Sequence, residues 1–105
     1  MNAEQAKSAL AGGTPLRVHL IGVAGSGMSG IAALLIGLGH RVSGSDRVDT
    51  VEVDRLVKKG LEFQCPQTAE GVIGTDVVIY SSAIKPGNPA FDEAVRLGIP
   101  MLRRA

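Results

Sequence analysis

The sequence predicts an α/β domain built on a five-stranded parallel sheet, and three observations carry that expectation. Arg17 to Gly30 reads as a buried strand, a glycine-rich turn and a helix start without interruption. Asp76 to Tyr80 is a continuous, β-branched run of the kind found where helices cover both faces of a parallel sheet. Helical and strand patterns alternate along the chain, as in βαβ units with right-handed crossovers. Together they predict a three-layer, Rossmann-like domain with strand order 3-2-1-4-5.

Each element has its own signal. Residues 1–15 read as a mobile lead-in, because Gly12-Gly13-Thr14-Pro15 breaks the short helical pattern at Ala3 to Leu10. Residues 16–105 form the domain. After the first strand, apolar residues at 28, 31, 32, 35 and 38 have helical spacing. Leu34 and Ile36 make this helix nearly apolar all round, so it calls for burial on more than one face, against a neighbouring helix or a further domain. Gly39-His40 ends it, and Arg41 to Gly44 gives a short second strand. Val51 to Lys59 is a helix with Val53, Leu56 and Val57 inward, stopped by Gly60, and Leu61 to Gln64 is a brief third strand. The polar passage from Cys65 to Gly74 has room for a helical turn. The fourth strand is 76–80, Pro86 to Pro89 is a turn, Ala90 to Leu97 is a helix, and Ile99 to Leu102 is the fifth strand.

Composition bounds the function. At 105 residues and 45% hydrophobic content, the chain builds one core rather than two. Its 11 basic and 10 acidic residues are interspersed, which gives no field for nucleic acid or a membrane surface. Cys65 is the only cysteine, so an internal disulfide is excluded, and no Cys/His spacing suggests zinc. A reducing cytoplasm fits, and neither a leader nor a bilayer-length apolar run is expected.

The glycine turn points to phosphate binding. A helix N-terminus has unpartnered N–H groups and partial positive charge, and glycines let a phosphate approach them. Two registers compete. Gly25, Gly27 and Gly30 satisfy G-x-G-x-x-G literally, whereas counting from the strand end places Gly22, Ala24 and Gly27 at the three positions. The second is preferred, with Gly25 adding freedom, and phosphate is expected against the N–H groups of Gly25 to Met28, with the Ser26 hydroxyl and that of Ser29 as donors. Ligands of such sheets sit at the C-terminal strand ends, where this turn, Ser45-Asp46 and Ser81-Ser82-Ala83-Ile84 converge. Asp46, 19 residues after Gly27, stands where a carboxylate accepts from ribose hydroxyls, its structural alternative being a turn aspartate. The candidate substrate-binding set is therefore Gly22, Ala24, Gly25, Ser26, Gly27, Met28, Ser45, Asp46, Ser81, Ser82 and Ala83. His19 reads as a hydrogen-bonded structural histidine, His40 as a surface residue, Cys65 as semi-buried, Lys85 as a solvated loop lysine beside the ligand edge, and Arg103-Arg104 as a solvated end. No G-x-x-x-x-G-K-[ST], carboxylate pair, Ser/His/Asp set or metal cluster is present, so no catalytic residue is assigned and the chain reads as a binding domain.

At these residues the chain resembles the N-terminal domain of the Mur ligases of bacterial peptidoglycan synthesis. The opening motif is matched by His19, Gly22, Gly25, Gly27, Met28, Ser29, Gly30 and Ala32, and the second block by Val42-Ser43-Gly44-Ser45-Asp46. Ser81-Ser82-Ala83-Ile84, Asn88-Pro89, Ile99-Pro100 and Arg103-Arg104-Ala105 follow, so the likeness spans residues 17–105. Ala24 stands where the family usually has glycine, and Gln67 where histidine is common. The resemblance implies a UDP-N-acetylmuramate-binding domain of a three-domain ATP-dependent ligase. A central domain outside this chain would carry ATP and Mg2+, and a C-terminal domain would help bind the amino acid. In the family, ATP phosphorylates the muramoyl carboxylate, and an amine displaces phosphate from the acyl phosphate to form an amide. The Ser-Ser-Ala-Ile and Arg-Arg-Ala blocks favour the alanine-adding branch over the ligase that attaches recycled murein tripeptide. The glycine turn and Asp46 also permit the NAD-binding domain of an oxidoreductase, although only about one and a half mononucleotide-binding halves fit this length. A nucleotide-sensing or interaction module is a third reading, supported only by the apolar helix.

Overall fold

A computed structural model describes residues 1–12, 14–25 and 27–104. Five strands, β1 (Arg17–Ile21), β2 (Arg41–Ser45), β3 (Glu62–Gln64), β4 (Val77–Ser81) and β5 (Met101–Arg104), pair in parallel in the order β3-β2-β1-β4-β5. This is the topology expected from the sequence. It places the reversal of strand order between β1 and β4, where a crevice opens at the C-terminal ends.

Strand alternation sorts the core into two layers. On one face Val18, Leu20, Val42, Val77 and Ile79 pack with Ala6, Met28, Ala32, Leu35, Val53 and Leu56, which come from α1 (Ala3–Ala11), α2 (Met28–Gly37) and α3 (Val51–Lys59). On the other, Ile21 and Val78 meet Val72 from the 3-10 turn Ala69–Val72 and Ala90 and Ala94 from α4 (Pro89–Arg96). Local chemistry fixes the helix ends. Thr50 caps α3 by accepting from the Val53 N–H at 3.2 Å, and Gly60 closes it at φ 119°, a left-handed conformation that favours glycine. Asn88 caps α4 through the Ala90 and Phe91 amides.

Four expectations are corrected. Residues 3–11 form a capped, nine-residue helix with Ala6 wholly buried, where only a turn or two in a loose lead-in was expected. The reason is tertiary: His40, expected on the surface, is buried and ties this helix to the sheet. Its Nδ1 accepts from the Leu16 N–H at 3.0 Å, so Nε2 carries the proton and donates to the Leu10 carbonyl at 2.8 Å. The fifth strand begins two residues later than expected. Pro100 has no N–H for the ladder and contributes only its carbonyl, to Val78 N–H at 3.0 Å, and the ladder runs on to Arg103 and Arg104, which are strand residues and, as expected, exposed. Cys65, expected to be semi-buried, is exposed. The apolar helix α2 rests on the sheet and on α3, while Leu34 and Leu38 stay 62% and 51% exposed.

Candidate functional site

The end of β2 organises the glycine turn. The Ser45 carbonyl accepts from both the Gly22 and Val23 N–H groups at 2.8 and 3.1 Å, and Asp46 Oδ2 accepts from the Ala24 N–H at 3.0 Å. Asp46 Oδ1 takes the Arg47 N–H, and the Asp46 amide donates to the Gln64 carbonyl, so this carboxylate is held from both sides. Gly25 N–H donates back to the Gly22 carbonyl at 2.9 Å and Met28 N–H to the Gly25 carbonyl at 3.1 Å. The amides of Gly25 and Met28, both expected to face a phosphate, are thus engaged inside the turn. No side chain caps α2, whereas Asn2, Thr50 and Asn88 cap the other three helices. The first turn of α2 also carries no acidic residue, leaving its partial positive charge uncompensated by the helix itself.

Backbone conformation selects between the two glycine registers. Gly22 and Gly27 have φ of 86° and 79°, the left-handed region, whereas Gly30 has ordinary φ and open space where a side chain would stand. Glycine is therefore required at Gly22 and Gly27, the register counted from the strand end. Gly22 has a second reason: a Cβ there would lie 3.1 Å from Ser81 Cβ across the β1–β4 junction.

At that junction a cavity of about 430 Å3 is lined by Gly22, Gly25, Asp46, Arg47, Gln67, Ser81, Ala83, Ile84, Lys85 and Asn88. Five of the expected site residues, Gly22, Gly25, Asp46, Ser81 and Ala83, meet on its wall. Ala24 backs the wall through its bond to Asp46, and Ser82 is exposed outside the lining. The side chains of Ser45 and Met28 are buried, so both support the site from behind rather than face it. Ser26 lies outside the described residues. Ser81 Oγ accepts from the Ala83 N–H at 3.2 Å, which shapes the turn after β4. Asn88 Nδ2 donates to Gln67 Oε1, tying the loop after β3 to the start of α4 across the crevice.

Sequence reasoning missed Arg47 and Asn88 as lining residues, and Lys85, read as a solvated loop lysine beside the ligand edge, is exposed and lines the crevice. Their signal was positional, since each follows a segment already assigned to the crevice. Arg104 was also missed: a Cβ on Gly27 would collide with Arg104 Nη2 and lie 2.5 Å from Cζ and 2.8 Å from Nε. The guanidinium therefore lies over the Gly27 backbone at the start of α2. A smaller cavity of about 320 Å3 lies at the N-terminal half of β1 and β2, rimmed by Arg17, Arg41, Glu62 and Glu70. Its mixed charge and its place away from the C-terminal strand ends make the larger crevice the candidate site.

His19 is structural, as expected. Ser43 Oγ donates to the Val18 carbonyl at 3.4 Å and so accepts from His19 Nδ1 at 2.7 Å, while His19 Nε2 accepts from Ser45 Oγ at 3.0 Å. Burial pushes its pKa down to about 4, and the neutral ring links β1 to β2 beneath the glycine turn.

The model of the Mur ligase family, catalytic domain, matches residues 17–105. UDP-N-acetylmuramate–L-alanine ligases from Ruegeria pomeroyi and Caldanaerobacter subterraneus are 49% and 43% identical over 88 and 89 residues, covering 84% and 85% of this chain. The chain spans only about a fifth of the length of these relatives, 19% in each case. The crystal structure of UDP-N-acetylmuramate-alanine ligase MurC from Thermotoga maritima superposes with a TM-score of 0.81 at 29% identity, over 85% of this chain and 21% of that one. UDP-N-acetylmuramate:L-alanyl-gamma-D-glutamyl-meso-diaminopimelate ligase (MPL) from Neisseria meningitides gives 0.78 at 25%, over 86% and 29%. An NAD-complexed D-isomer specific 2-hydroxyacid dehydrogenase from Lactobacillus delbrueckii reaches 0.53 at 24% identity over 68% and 19%, a likeness of fold alone. Strand order, glycine turn and sequence agree over the same span, and the chain belongs to the Mur ligase family.

Proposed function

We propose that this chain is the UDP-N-acetylmuramate-binding domain of a cytoplasmic ligase that adds L-alanine to that nucleotide sugar in peptidoglycan synthesis. The observation that carries the reading is the crevice between β1 and β4, where an uncapped helix start, a braced carboxylate and the Ser81–Ala83 turn meet. The diphosphate would sit at the start of α2, beside Gly27, stabilised by the helix dipole and backbone donors. Asp46 would accept from the ribose while keeping its bonds to Ala24 and Arg47, since a carboxylate has about four acceptor positions. Ser81, Ser82 and Ala83 would border the sugar diphosphate from the β4 side.

This domain holds one reactant and does not perform the bond chemistry. In the complete ligase, ATP with Mg2+ would convert the muramoyl carboxylate to an acyl phosphate, and the alanine amine would displace phosphate to form the amide. The residues here do not fit those groups: the sequence has no phosphate-binding lysine motif, and among the described residues no cluster of three His, Cys, Asp or Glu side chains could hold a metal. Both belong to the remainder of the ligase in this reading. Among the described residues no helix is long and apolar enough to cross a membrane.

The test is calorimetric titration of this chain with UDP-N-acetylmuramate and with ADP. Tighter binding of the UDP-sugar, weakened by Asp46→Ala, supports the reading. Equal affinity for the two nucleotides contradicts it.

A further inference from the structure

We infer that the hydrogen-bonded pair Gln67 and Asn88 reads the nucleobase in the crevice, turning donor N–H groups toward it and so selecting uracil over cytosine. This role rests on the function proposed above and adds the choice of base to it.

Helix capping sets the polarity of the pair. Asn88 Oδ1 accepts from the Ala90 and Phe91 N–H groups at 3.0 and 3.1 Å, at the start of α4. A carboxamide nitrogen cannot accept, so the cap fixes which way round the Asn88 side chain stands. Its Nδ2 is left to donate, and it does so to Gln67 Oε1. That bond orients Gln67 in turn: its oxygen is committed to Asn88, and Nε2, with two N–H groups, is the end that remains for a ligand. Among the described residues no bond holds this Nε2, and it is not sealed from solvent. Both side chains line the crevice.

Position brings the base to them. The Asp46 N–H donates to the Gln64 carbonyl at 3.2 Å, so the loop that carries Gln67 starts beside the carboxylate assigned to the ribose. Asn88 comes from the opposite wall, after β4. With the diphosphate at the start of α2 and the ribose at Asp46, the base lies beyond the ribose, where the pair ties the two walls together. Asp46 itself is held by the Ala24 and Arg47 amides, which leaves the carboxamides to meet the base edge. Uracil carries an acceptor oxygen at C4, which an N–H group of Gln67 satisfies. Cytosine carries an amino donor there, and donor against donor leaves both groups without partners, a cost that selects against it.

Two substitutions invert this polarity while keeping the bond between the side chains. Asn88→Asp retains a capping oxygen and offers Gln67 a second oxygen, so Gln67 turns its own oxygen to the base. Gln67→Glu keeps an acceptor for Asn88 Nδ2 and points its other oxygen at the base. UDP and CDP share ribose and diphosphate, so the charge that either variant adds acts on both and cancels in the ratio of their affinities. The test is calorimetric titration of the unaltered chain, N88D and Q67E with UDP, CDP and ADP, with thermal unfolding to confirm that the variants are folded. The unaltered chain should prefer UDP to CDP by at least about tenfold, and each variant should lower that ratio by at least about fivefold. A ratio that stays within about twofold in either variant, or an unaltered chain without preference for UDP over CDP, overturns the role of the pair. The nucleotide-sugar reading then stands if UDP is still preferred to ADP. Equal affinity for UDP and ADP, or no binding of any of the three, overturns both.

Discussion

Protonating His19 should cost this fold a defined amount of stability. The ring is 1% exposed and its two nitrogens are engaged by Ser43 and Ser45, so a second proton would be buried and would turn the Ser45 hydroxyl away from its acceptor. Burial lowers the pKa from 6.5 to about 4, which means that the folded chain takes up this proton less readily than the unfolded chain. Such a group contributes stability that is fully present above pH 6.5 and is lost as pH falls through the folded value. Between about pH 7.5 and about pH 4.5 the loss integrates to about 2.5 kcal/mol. Urea unfolding at both pH values, for the unaltered chain and His19→Gln, separates this contribution from carboxylates, which titrate in both proteins. The pH-dependent loss should be larger in the unaltered chain by roughly 2 to 3 kcal/mol, and NMR should show its His19 ring titrating near 4. Equal losses in the two proteins, or a ring that titrates near 6.5, would refute the reasoning.

Other perturbations test the remaining contacts. His40→Ala removes both the acceptor for Leu16 N–H and the donor to the Leu10 carbonyl, so unfolding free energy should fall by about 1–3 kcal/mol. Hydrogen exchange should then rise first across α1, and unchanged protection there would contradict its tether. Gly44→Ala would place a Cβ 2.8 Å from Val23 Cβ and 2.9 Å from both its methyls, and chemical denaturation should show a loss of about 1–3 kcal/mol. Gly27→Val forces a β-branched residue into the left-handed region and displaces Arg104, so calorimetry should show UDP-sugar binding abolished, a stronger effect than Asp46→Ala. Asp46→Asn retains a side-chain oxygen for the Ala24 amide, and it should therefore keep turn protection in hydrogen exchange better than Asp46→Ala.

Elements whose signal is local were legible in the sequence. The Val77–Ser81 strand announces itself by its β-branched run, and α3 by inward Val53 and Leu56 and its stop at Gly60, although Val57, expected inward with them, is exposed. The docking of α1 was not legible, because the bond that fixes the helix crosses 30 residues to His40. Arg103 and Arg104 hid the end of β5 because two charged residues do not resemble a strand, and the ladder partner that makes them one is 23 residues away in β4. The same distinction holds at the crevice. Gly22, Asp46 and Ser81 were found because each lies at a C-terminal strand end, a position set by topology. The bonds of Asp46 to Ala24 and of Asn88 to Gln67, and the reach of Arg104 to Gly27, depend on side-chain direction between segments distant in sequence.

The central claim is that the β1–β4 crevice takes a UDP-sugar, and an NMR amide titration with UDP-N-acetylmuramate, beside NAD and ADP at matched concentrations, tests it most directly. The account predicts selective shifts with the UDP-sugar at Gly22, Gly25, Asp46 and Ala83, with little change along Arg17, Arg41 and Glu62 at the opposite cavity. Larger shifts with NAD or ADP at the crevice, or a response to the UDP-sugar centred on the opposite cavity, would contradict it.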